Sequence, residues 1–337
     1  MKKLNRQQLT VFIGALIYEV SAGIFSNTEG TLFTAMRLSL GFPLTRVSTY
    51  FSVKGLSGAL FAALFARYFF KVDKRLFAFV CVFFNIAGHM LFLLGTGAPM
   101  WALAAIVYSL GNSTFALAVP FVLNQWMPDF AGTATGIAMA MLGFAGTVFN
   151  PIIAKATAAF GWQGALWVMS ISTAVLAIPG ILMMLGRPVP ETEPAPAGKD
   201  LAQQKQEPFN TRLFLLVLLA ILAPCSTWMF SSYMTNYVTD MGFPLASATL
   251  VSSTSQIGNM LWKIVFGWCI DKIGPWKTCM GAYVMISLSF IGFVFFGKTL
   301  GALFLSAAFY SLVFSQSAVG VARIAIRVFG ANGYKKY

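Results

Sequence analysis

Charged and titratable side chains occur inside long apolar stretches of this sequence, where each one needs a chemical reason to be there. Lys54 and Lys263 are cations, Glu19 is a carboxylate, and His89 can gain or lose a proton near neutral pH. A charge at the centre of a lipid-embedded helix costs about 2.5–3.5 kcal/mol on insertion scales, so such residues normally face a cavity or a partner. Binding of an ionic solute and transfer of protons are the chemistry that these positions could perform.

Each of these residues also has a purely structural interpretation. Lys54 and Glu19 could form an ion pair between helices, instead of serving as substrate cation and proton carrier. Lys263 could extend its amine to the membrane interface, and His89 could pack between helices with its ring hydrogen-bonded to a carbonyl. Glu29, near the outer end of the first apolar stretch, is interpreted as part of a solvated rim.

The composition indicates that lipid surrounds most of the chain. Hydrophobic residues make up 58% and charged residues only 10%, whereas about a quarter of a soluble domain is charged. Apolar runs of about 20 residues recur, and each is long enough to cross a hydrocarbon core of about 30 Å as a helix. We predict an all-α polytopic membrane protein with ten spans, which begin near Leu9, Thr45, Leu76, Pro99, Gly132, Trp162, Thr211, Leu245, Thr278 and Leu300.

The chain is predicted to divide into two helical bundles. A six-helix bundle at 1–186 is followed by a polar, Pro-rich linker at 187–211 and by an incomplete bundle of about four helices at 212–337. With the N-terminus in the cytoplasm, 17 Lys and Arg residues fall on the cytoplasmic side and four on the other. This asymmetry predicts a multi-pass protein of the cell's inner (plasma) membrane with a cytoplasmic N-terminus and linker.

An internal duplication relates the two bundles. Gly41-Phe42-Pro43-Leu44 opens the second span, and Gly242-Phe243-Pro244-Leu245 opens the eighth, 201 positions later. Both matches precede a Ser/Thr-rich apolar helix and a basic loop, which favours duplication over coincidence. The prediction is therefore two pseudo-symmetric bundles.

The loop after the eighth span, from Gly267 to Lys277, resembles the G-x-x-x-D-[RK]-x-G-x-[RK]-[RK] loop of the major facilitator superfamily. Gly267, Asp271, Lys272, Gly274 and Lys277 match it and are predicted to form a gating loop. The counterpart at 66–75 keeps the basic residues but displaces the acid to Asp73.

Two further stretches resemble the oxalate/formate and monocarboxylate branch of that superfamily. They are 124–138, with Asn124-Gln125-Trp126 and Gly132-Thr133-Ala134, and the pair Asn150-Pro151. The family has twelve helices, so the resemblance implies a major facilitator fold truncated at about ten. In that branch a cation, usually Arg, stands four residues before the loop glycine and contacts the substrate carboxylate; here that position is Lys263.

The resemblance implies secondary active transport of a small organic mono- or dicarboxylate by alternating access, with the substrate between the two halves. Predicted substrate-binding residues are Lys263, Lys54, Tyr18, Asn150 and Tyr233, and predicted proton- or ion-coupling residues are Glu19 and His89. The expected partners are an anionic solute, a coupling proton or counter-anion, and the lipid bilayer. The chain is expected to be a monomer.

Other function classes are weighed against this one. A proton-coupled drug or cation exporter of the same superfamily would use Glu19, and a truncated member without transport activity is a further alternative. An enzyme is not expected, because H-E-x-x-H and G-x-S-x-G are absent from the sequence. No metal, cofactor or nucleic acid is expected, since the four cysteines have no C-x-x-C spacing and the basic residues lie in loops between spans.

Overall fold

The structure is a computed structural model that describes residues 5–69, 72–112, 115–127, 131–186 and 227–317. All regular secondary structure in these ranges is helical. The chain forms two compact units, Met1–Thr192 and Glu193–Tyr337. The predicted all-α fold is confirmed. The predicted linker, apart from Thr192 and Glu193 as bounds of the units, lies outside the described residues.

The first unit contains six helical segments. They are α1 (Arg6–Leu40), α2 (Leu44–Phe69), α3 (Lys74–Met90), α4 (Ala98–Asn112), α5 (Phe115–Trp126) and α6 (Ala131–Leu185), and a 3-10 turn at Leu91–Leu93 follows α3. Gly161, with φ 71°, interrupts α6 and divides it into two arms, 131–160 and 162–185. Glycine adopts this positive φ without steric cost.

The second unit contributes five helical segments in the described range. They are α7 (Phe230–Asp240), α8 (Leu245–Ile273), α9 (Pro275–Phe296), α10 (Leu300–Tyr310) and α11 (Leu312–Ser315). Nine of the ten predicted spans begin within about four residues of an observed helix start or of the break at Gly161. The start predicted near Thr211 lies outside the described residues.

Four described helical segments are long and apolar enough to cross a membrane by length and composition. These are Arg6–Leu40, Lys74–Leu93, Thr133–Leu185 and Trp276–Phe296. The more polar α2 and α8 carry Lys54 and Lys263 among hydroxyl and amide side chains.

Small residues let α1 pack closely against both arms of α6. A Cβ atom on Gly23 would lie 2.6 Å from the Cβ of Ala145, and one on Gly14 would lie 2.6 Å from the Met184 nitrogen. Such contacts are typical of membrane helices, whose association depends on van der Waals packing and interhelical hydrogen bonds. The close packing fixes α1, which carries Glu19 and Glu29, against α6.

Hydrogen bonds and close packing position α8 within the second unit. Thr235 of α7 and Ser252 of α8 share a hydrogen bond of 2.8 Å between their hydroxyl oxygens, and the Trp262 indole donates to the carbonyl of Ala308 at 2.8 Å. Gly258 approaches the junction of α10 and α11 so closely that a Cβ atom there would overlap the side chain of Ser311. These contacts orient the polar face of α8.

Candidate functional site

Four helices of the first unit bring five ionisable or phenolic side chains together, and we call this group the charged cluster. It consists of Glu29 on α1, Tyr50 and Lys54 on α2, His89 on α3 and Tyr108 on α4. The Lys54 ammonium forms an ion pair with Oε1 of Glu29. The Tyr50 hydroxyl donates to Oε2 of Glu29 at 3.3 Å, and Nε2 of His89 lies 3.7 Å from that same oxygen.

Lys54 is the most accessible member of the ion-paired group. Its side chain is 20% exposed, whereas those of Glu29 and His89 are 2% and 0% exposed. The ammonium also lies 4.8 Å from the ring centroid of Tyr108 and 5.7 Å from that of Phe51, within the range of cation–π attraction. A solute reaching the cluster would therefore meet the lysine before the carboxylate.

Aromatic packing and a backbone carbonyl fix the imidazole of His89. The ring stacks on Phe25 with centroids 4.2 Å apart and meets Tyr108 edge-on at 4.8 Å. Its Nδ1 lies 3.4 Å from the carbonyl oxygen of Asn85, which suits donation from a proton on Nδ1. Nε2 then faces both Glu29 and Tyr50, so a proton can be exchanged at this nitrogen.

A shell of aromatic side chains encloses one side of the charged cluster. Phe33 lies with its ring centroid 4.6 Å from that of Tyr50 and 4.8 Å from that of Trp101, and Phe92 lies 4.7 Å from Trp101. An apolar shell excludes water, which strengthens the ion pair but makes an unpaired charge costly. The charge state of this cluster is therefore tightly coupled to its geometry.

Two sequence-based interpretations of these charges are wrong. Lys54 pairs with Glu29 and not with Glu19, which lies ten residues, about 15 Å, earlier on α1. Glu29 is not part of a solvated rim, since its side chain is only 2% exposed. The reason is the length of α1, which continues to Leu40 and so places Glu29 well inside the helix.

The other site residues predicted on the first unit lie elsewhere. Tyr18 and Glu19 are buried on α1, and Gly180 of α6 packs against the backbone of Tyr18. Asn150 accepts a hydrogen bond from Thr31 at 2.6 Å and donates to the carbonyl of Gly146 at 2.8 Å, so its side chain joins α6 to α1. The structure does not bring these three residues into the charged cluster.

A line of polar residues, which we call the polar stripe, follows one face of α8. It contains Thr249, Ser252, Gln256, Asn259 and Lys263, spaced three or four residues apart as neighbours on a helix face are. The first four are buried and Lys263 is half-buried. The Asn259 amide donates to Oε1 of Gln256 at 3.3 Å, and Oδ1 of Asn259 is buried without a hydrogen-bond partner.

On the neighbouring helix α7, Thr235 and Asn236 are also buried polar residues. Thr235 bonds to the polar stripe through Ser252, and neither amide atom of its neighbour Asn236 has a hydrogen-bond partner. Tyr233, predicted to bind substrate, is half-buried on the same helix. Buried polar atoms without partners are costly, and a bound solute can satisfy them.

The predicted gating loop is very short. Between α8 and α9 only Gly274 is not helical, with φ 88°, and Pro275 begins α9. Lys272 and Lys277 are exposed, while the side chains of Gly267 and Asp271 are outside the described set. The positive φ explains why glycine is needed at the turn.

The counterpart of this loop in the first unit, at 66–75, has its acidic residue at Asp73, and this residue has a structural role. Oδ1 of Asp73 accepts hydrogen bonds from the backbone N–H groups of Arg75 at 2.8 Å and Leu76 at 3.0 Å, which caps α3. These hydrogen bonds lower the pKa of the Asp73 carboxyl, because they favour its charged form. The hydrogen bond from Leu76 has the larger effect and that from Arg75 the next.

Sequence reasoning missed Tyr50 and Tyr108 as members of the charged cluster. Tyr50 lies one helical turn before Lys54, a spacing that places both on one face of α2. Tyr108-Ser109-Leu110 recurs as Tyr310-Ser311-Leu312, 202 positions later, which is a second trace of the internal duplication. Together these two signals could have indicated both tyrosines.

Comparison with known proteins supports the fold. The structure resembles a point mutant of the nucleoside transporter NupG, with a TM-score of 0.68 and 16% identity over 96% of this chain and 83% of that one. It also resembles the peptide transporter POT in complex with sulfate, with a TM-score of 0.67 and 14% identity over 98% and 84% of the two chains. A bacterial homologue of the iron transporter ferroportin gives a TM-score of 0.65 and 11% identity over 99% and 87%.

At these identities the structural likeness establishes the fold and not the solute. No significant match was found among curated proteins. The sequence profile described as Major Facilitator Superfamily matches residues 11–333, nearly the whole chain. The chain is therefore a multi-pass membrane protein that belongs to the Major Facilitator Superfamily of secondary transporters.

Proposed function

We propose that this chain is a secondary transporter of a small organic anion, such as a mono- or dicarboxylate, that works by alternating access. The observation that carries the proposal is the polar stripe of α8, which runs from Thr249 through buried amides to the half-buried cation Lys263. Neutral hydrogen-bonding groups followed by a positive charge suit an anionic solute that also forms hydrogen bonds.

The position of Lys263 adds to this argument. It precedes Gly267 by four residues, about 6 Å along the helix, which is the spacing of the substrate cation in the branch that the sequence resembles. Lysine supplies a compact charge with rotatable donors in place of the planar fork of arginine. We expect binding through charge rather than through bidentate geometry.

Transport measurements on Lys263 variants test the proposal. In proteoliposomes, Lys263→Gln should abolish uptake of radiolabelled oxalate, formate or lactate, whereas Lys263→Arg should retain part of it because the charge persists. Lys298→Gln, which removes an exposed lysine after α9, is the matched control and should transport normally. A well-folded Lys263→Gln variant that carries the anion at the wild-type rate would remove Lys263 from the site.

A cation exporter is the alternative that the same preparation distinguishes. Glu19 is 2% exposed within α1, and a buried carboxylate can bind a lipophilic cation or a proton. Uptake of a lipophilic cation that is lost in Glu19→Gln, together with no anion uptake, would favour the exporter.

For orientation, we propose that the N-terminus and the linker at 187–211 face the cytoplasm of a cell whose inner (plasma) membrane holds the chain. The 17-to-4 distribution of Lys and Arg supports this orientation. A single cysteine replacing Ala197, in a background without the native cysteines, should resist membrane-impermeant thiol reagents in intact cells. Rapid labelling would reverse the orientation.

A further inference from the structure

Two titratable residues of the charged cluster, Glu29 and His89, have aromatic counterparts in the second unit. Positions 201 after Glu29 and His89 are Phe230 and Phe290, and the position 202 after Tyr108 is Tyr310. Phe230, Phe290 and Tyr310 are in mutual contact, with ring centroids 5.3, 5.4 and 5.7 Å apart. The second unit thus forms the corresponding helix arrangement with uncharged aromatic rings at these positions.

A buried ion pair is an expensive way to stabilise such a core. Removing two charges from water costs several kcal/mol per ion, and well-packed apolar side chains are often equally or more stabilising. The stability of the fold therefore does not explain why Glu29 and Lys54 are charged, because their counterparts in the second unit, Phe230 and Ser255, are uncharged. In a transporter, intramembrane charges of this kind mark an ion or proton pathway.

The groups around Glu29 form a receptor, that is, a binding site, for a carboxylate. One oxygen meets the Lys54 ammonium, and the other accepts a hydrogen bond from the Tyr50 hydroxyl. The carboxylate that occupies this receptor belongs to the protein, and the lysine that holds it is the partly exposed member. A carboxylate of a solute could replace Glu29 on Lys54 only if Glu29 became neutral, since two carboxylates would repel each other.

We propose that Glu29 binds the coupling proton, and that its protonation releases Lys54 to bind the carboxylate of the transported anion. The proposal rests on the proposed anion transport and adds the coupling ion and its site. In this step the Glu29 carboxylate takes one proton to become a carboxyl group, and the Lys54 ammonium exchanges that carboxylate for the one on the solute. One proton and one monocarboxylate enter together, so the cluster keeps its net charge.

The other titratable groups around Glu29 have supporting roles. Tyr50 from α2 holds the oxygen that does not contact Lys54, and Nε2 of His89 from α3 lies beside that same oxygen, where it can pass the proton on. Tyr108 from α4 contacts Lys54 through its ring face and can hold the ammonium while its partners exchange. Glu19 takes no part in this arrangement.

Proteoliposomes containing the full chain and radiolabelled lactate test this assignment. Glutamine mimics the protonated form of Glu29, so Glu29→Gln should retain lactate/lactate counterflow and make it independent of pH, while uptake driven by a proton gradient is lost. Asp240→Asn is the control, because it removes an exposed carboxylate at the end of α7, outside the charged cluster, and it should retain uptake driven by the proton gradient. Lys54→Gln should lose both counterflow and driven uptake.

A binding measurement guards against misfolding of the variant. At alkaline pH, Glu29→Gln should show a larger lactate-induced rise in melting temperature than the wild type, because no internal carboxylate competes for Lys54. Proton-driven uptake that persists in Glu29→Gln, or a variant that binds lactate no better than wild type, would overturn the coupling proposal while leaving anion transport in place. Wild-type chain that exchanges neither lactate, formate nor oxalate would instead overturn the proposed function.

Discussion

The two units have charged side chains and aromatic rings, respectively, at corresponding positions of their cores. In the first, α1 to α4 surround an ion pair, a histidine and two tyrosines. In the second, the corresponding positions of α7, α9 and α10 carry Phe230, Phe290 and Tyr310 in a cluster of rings. The polar stripe of the second unit lies along α8, and its members other than Lys263 are neutral.

This difference separates what the fold needs from what the function needs. A feature present in both units, such as the close contact of Ser109 with α2 and of Ser311 with α8, belongs to the shared packing. A feature present in one unit, such as the pair of Glu29 and Lys54, calls for another explanation. Variants that change one unit and leave the other intact test that separation.

Removal of the Lys54 charge should be the most damaging single change in the charged cluster. Lys54→Met leaves Glu29 buried without its counter-ion, which typically costs about 3–5 kcal/mol. Thermal unfolding in detergent measures the loss. The matched control in the second unit is Ser255→Ala, which removes a buried hydroxyl without a hydrogen-bond partner and should be close to neutral.

A double-mutant cycle decides whether the lysine acts through Glu29. Adding Glu29→Gln to Lys54→Met should recover part of the lost stability, because no unpaired carboxylate remains. Equal melting temperatures for the single and double variants would show that the lysine acts through packing of its stem.

The second-largest loss of stability is expected from a change that separates α3 from α4. A Cβ atom on Gly88 would lie 2.5 Å from the backbone nitrogen of Tyr108, so Gly88→Ala must push the two helices apart. Overpacking of this kind costs about 1–3 kcal/mol and would shift Tyr108 relative to His89. Gly55→Ala is the control, because nothing lies within 4 Å of its Cβ position. A melting temperature for Gly88→Ala no lower than that of Gly55→Ala would contradict the packing described here.

The smallest expected effect concerns the cap of α3. Asp73→Ala removes the acceptor for the N–H groups of Arg75 and Leu76 and should lower the melting temperature slightly, whereas Asp73→Asn should keep the cap. The pKa of Asp73 is lowered in the folded chain, so its contribution is present above the unfolded pKa of about 3.9. The part of this contribution that depends on the negative charge is lost as the pH falls through the folded pKa. A deficit of Asp73→Ala that stays constant across that range would contradict capping by the carboxylate.

The helices could be predicted from sequence more completely than the candidate site. Apolar length and turn residues located the starts of nine spans, because a helix must cross a fixed thickness of lipid. The partner of Lys54 could not be predicted in this way, since it depends on where along α1 the neighbouring helix crosses. A position error of ten residues, from Glu19 to Glu29, moves the partner by about 15 Å.

Polar periodicity could have indicated more residues on α8 than Lys263, the one member of the polar stripe that was predicted as a site residue. The residues from Thr249 to Lys263 repeat at three or four positions, so a single helix face can be read directly from the sequence. What the sequence does not contain is which buried amides lack a partner, as Asn236 and Asn259 do. That property depends on distances between helices, which single-chain periodicity does not specify.

The central claim, that the charged cluster serves transport and not folding, is tested most directly by giving the first unit the residues of the second. The variant combines Glu29→Phe, Tyr50→Val, Lys54→Ser and His89→Phe, which reproduces Phe230, Val251, Ser255 and Phe290. We expect its melting temperature in detergent to equal or exceed that of the wild type, while proton-driven lactate uptake is abolished. A melting temperature lowered as far as that of Lys54→Met would contradict the claim and show that the charges hold the fold together.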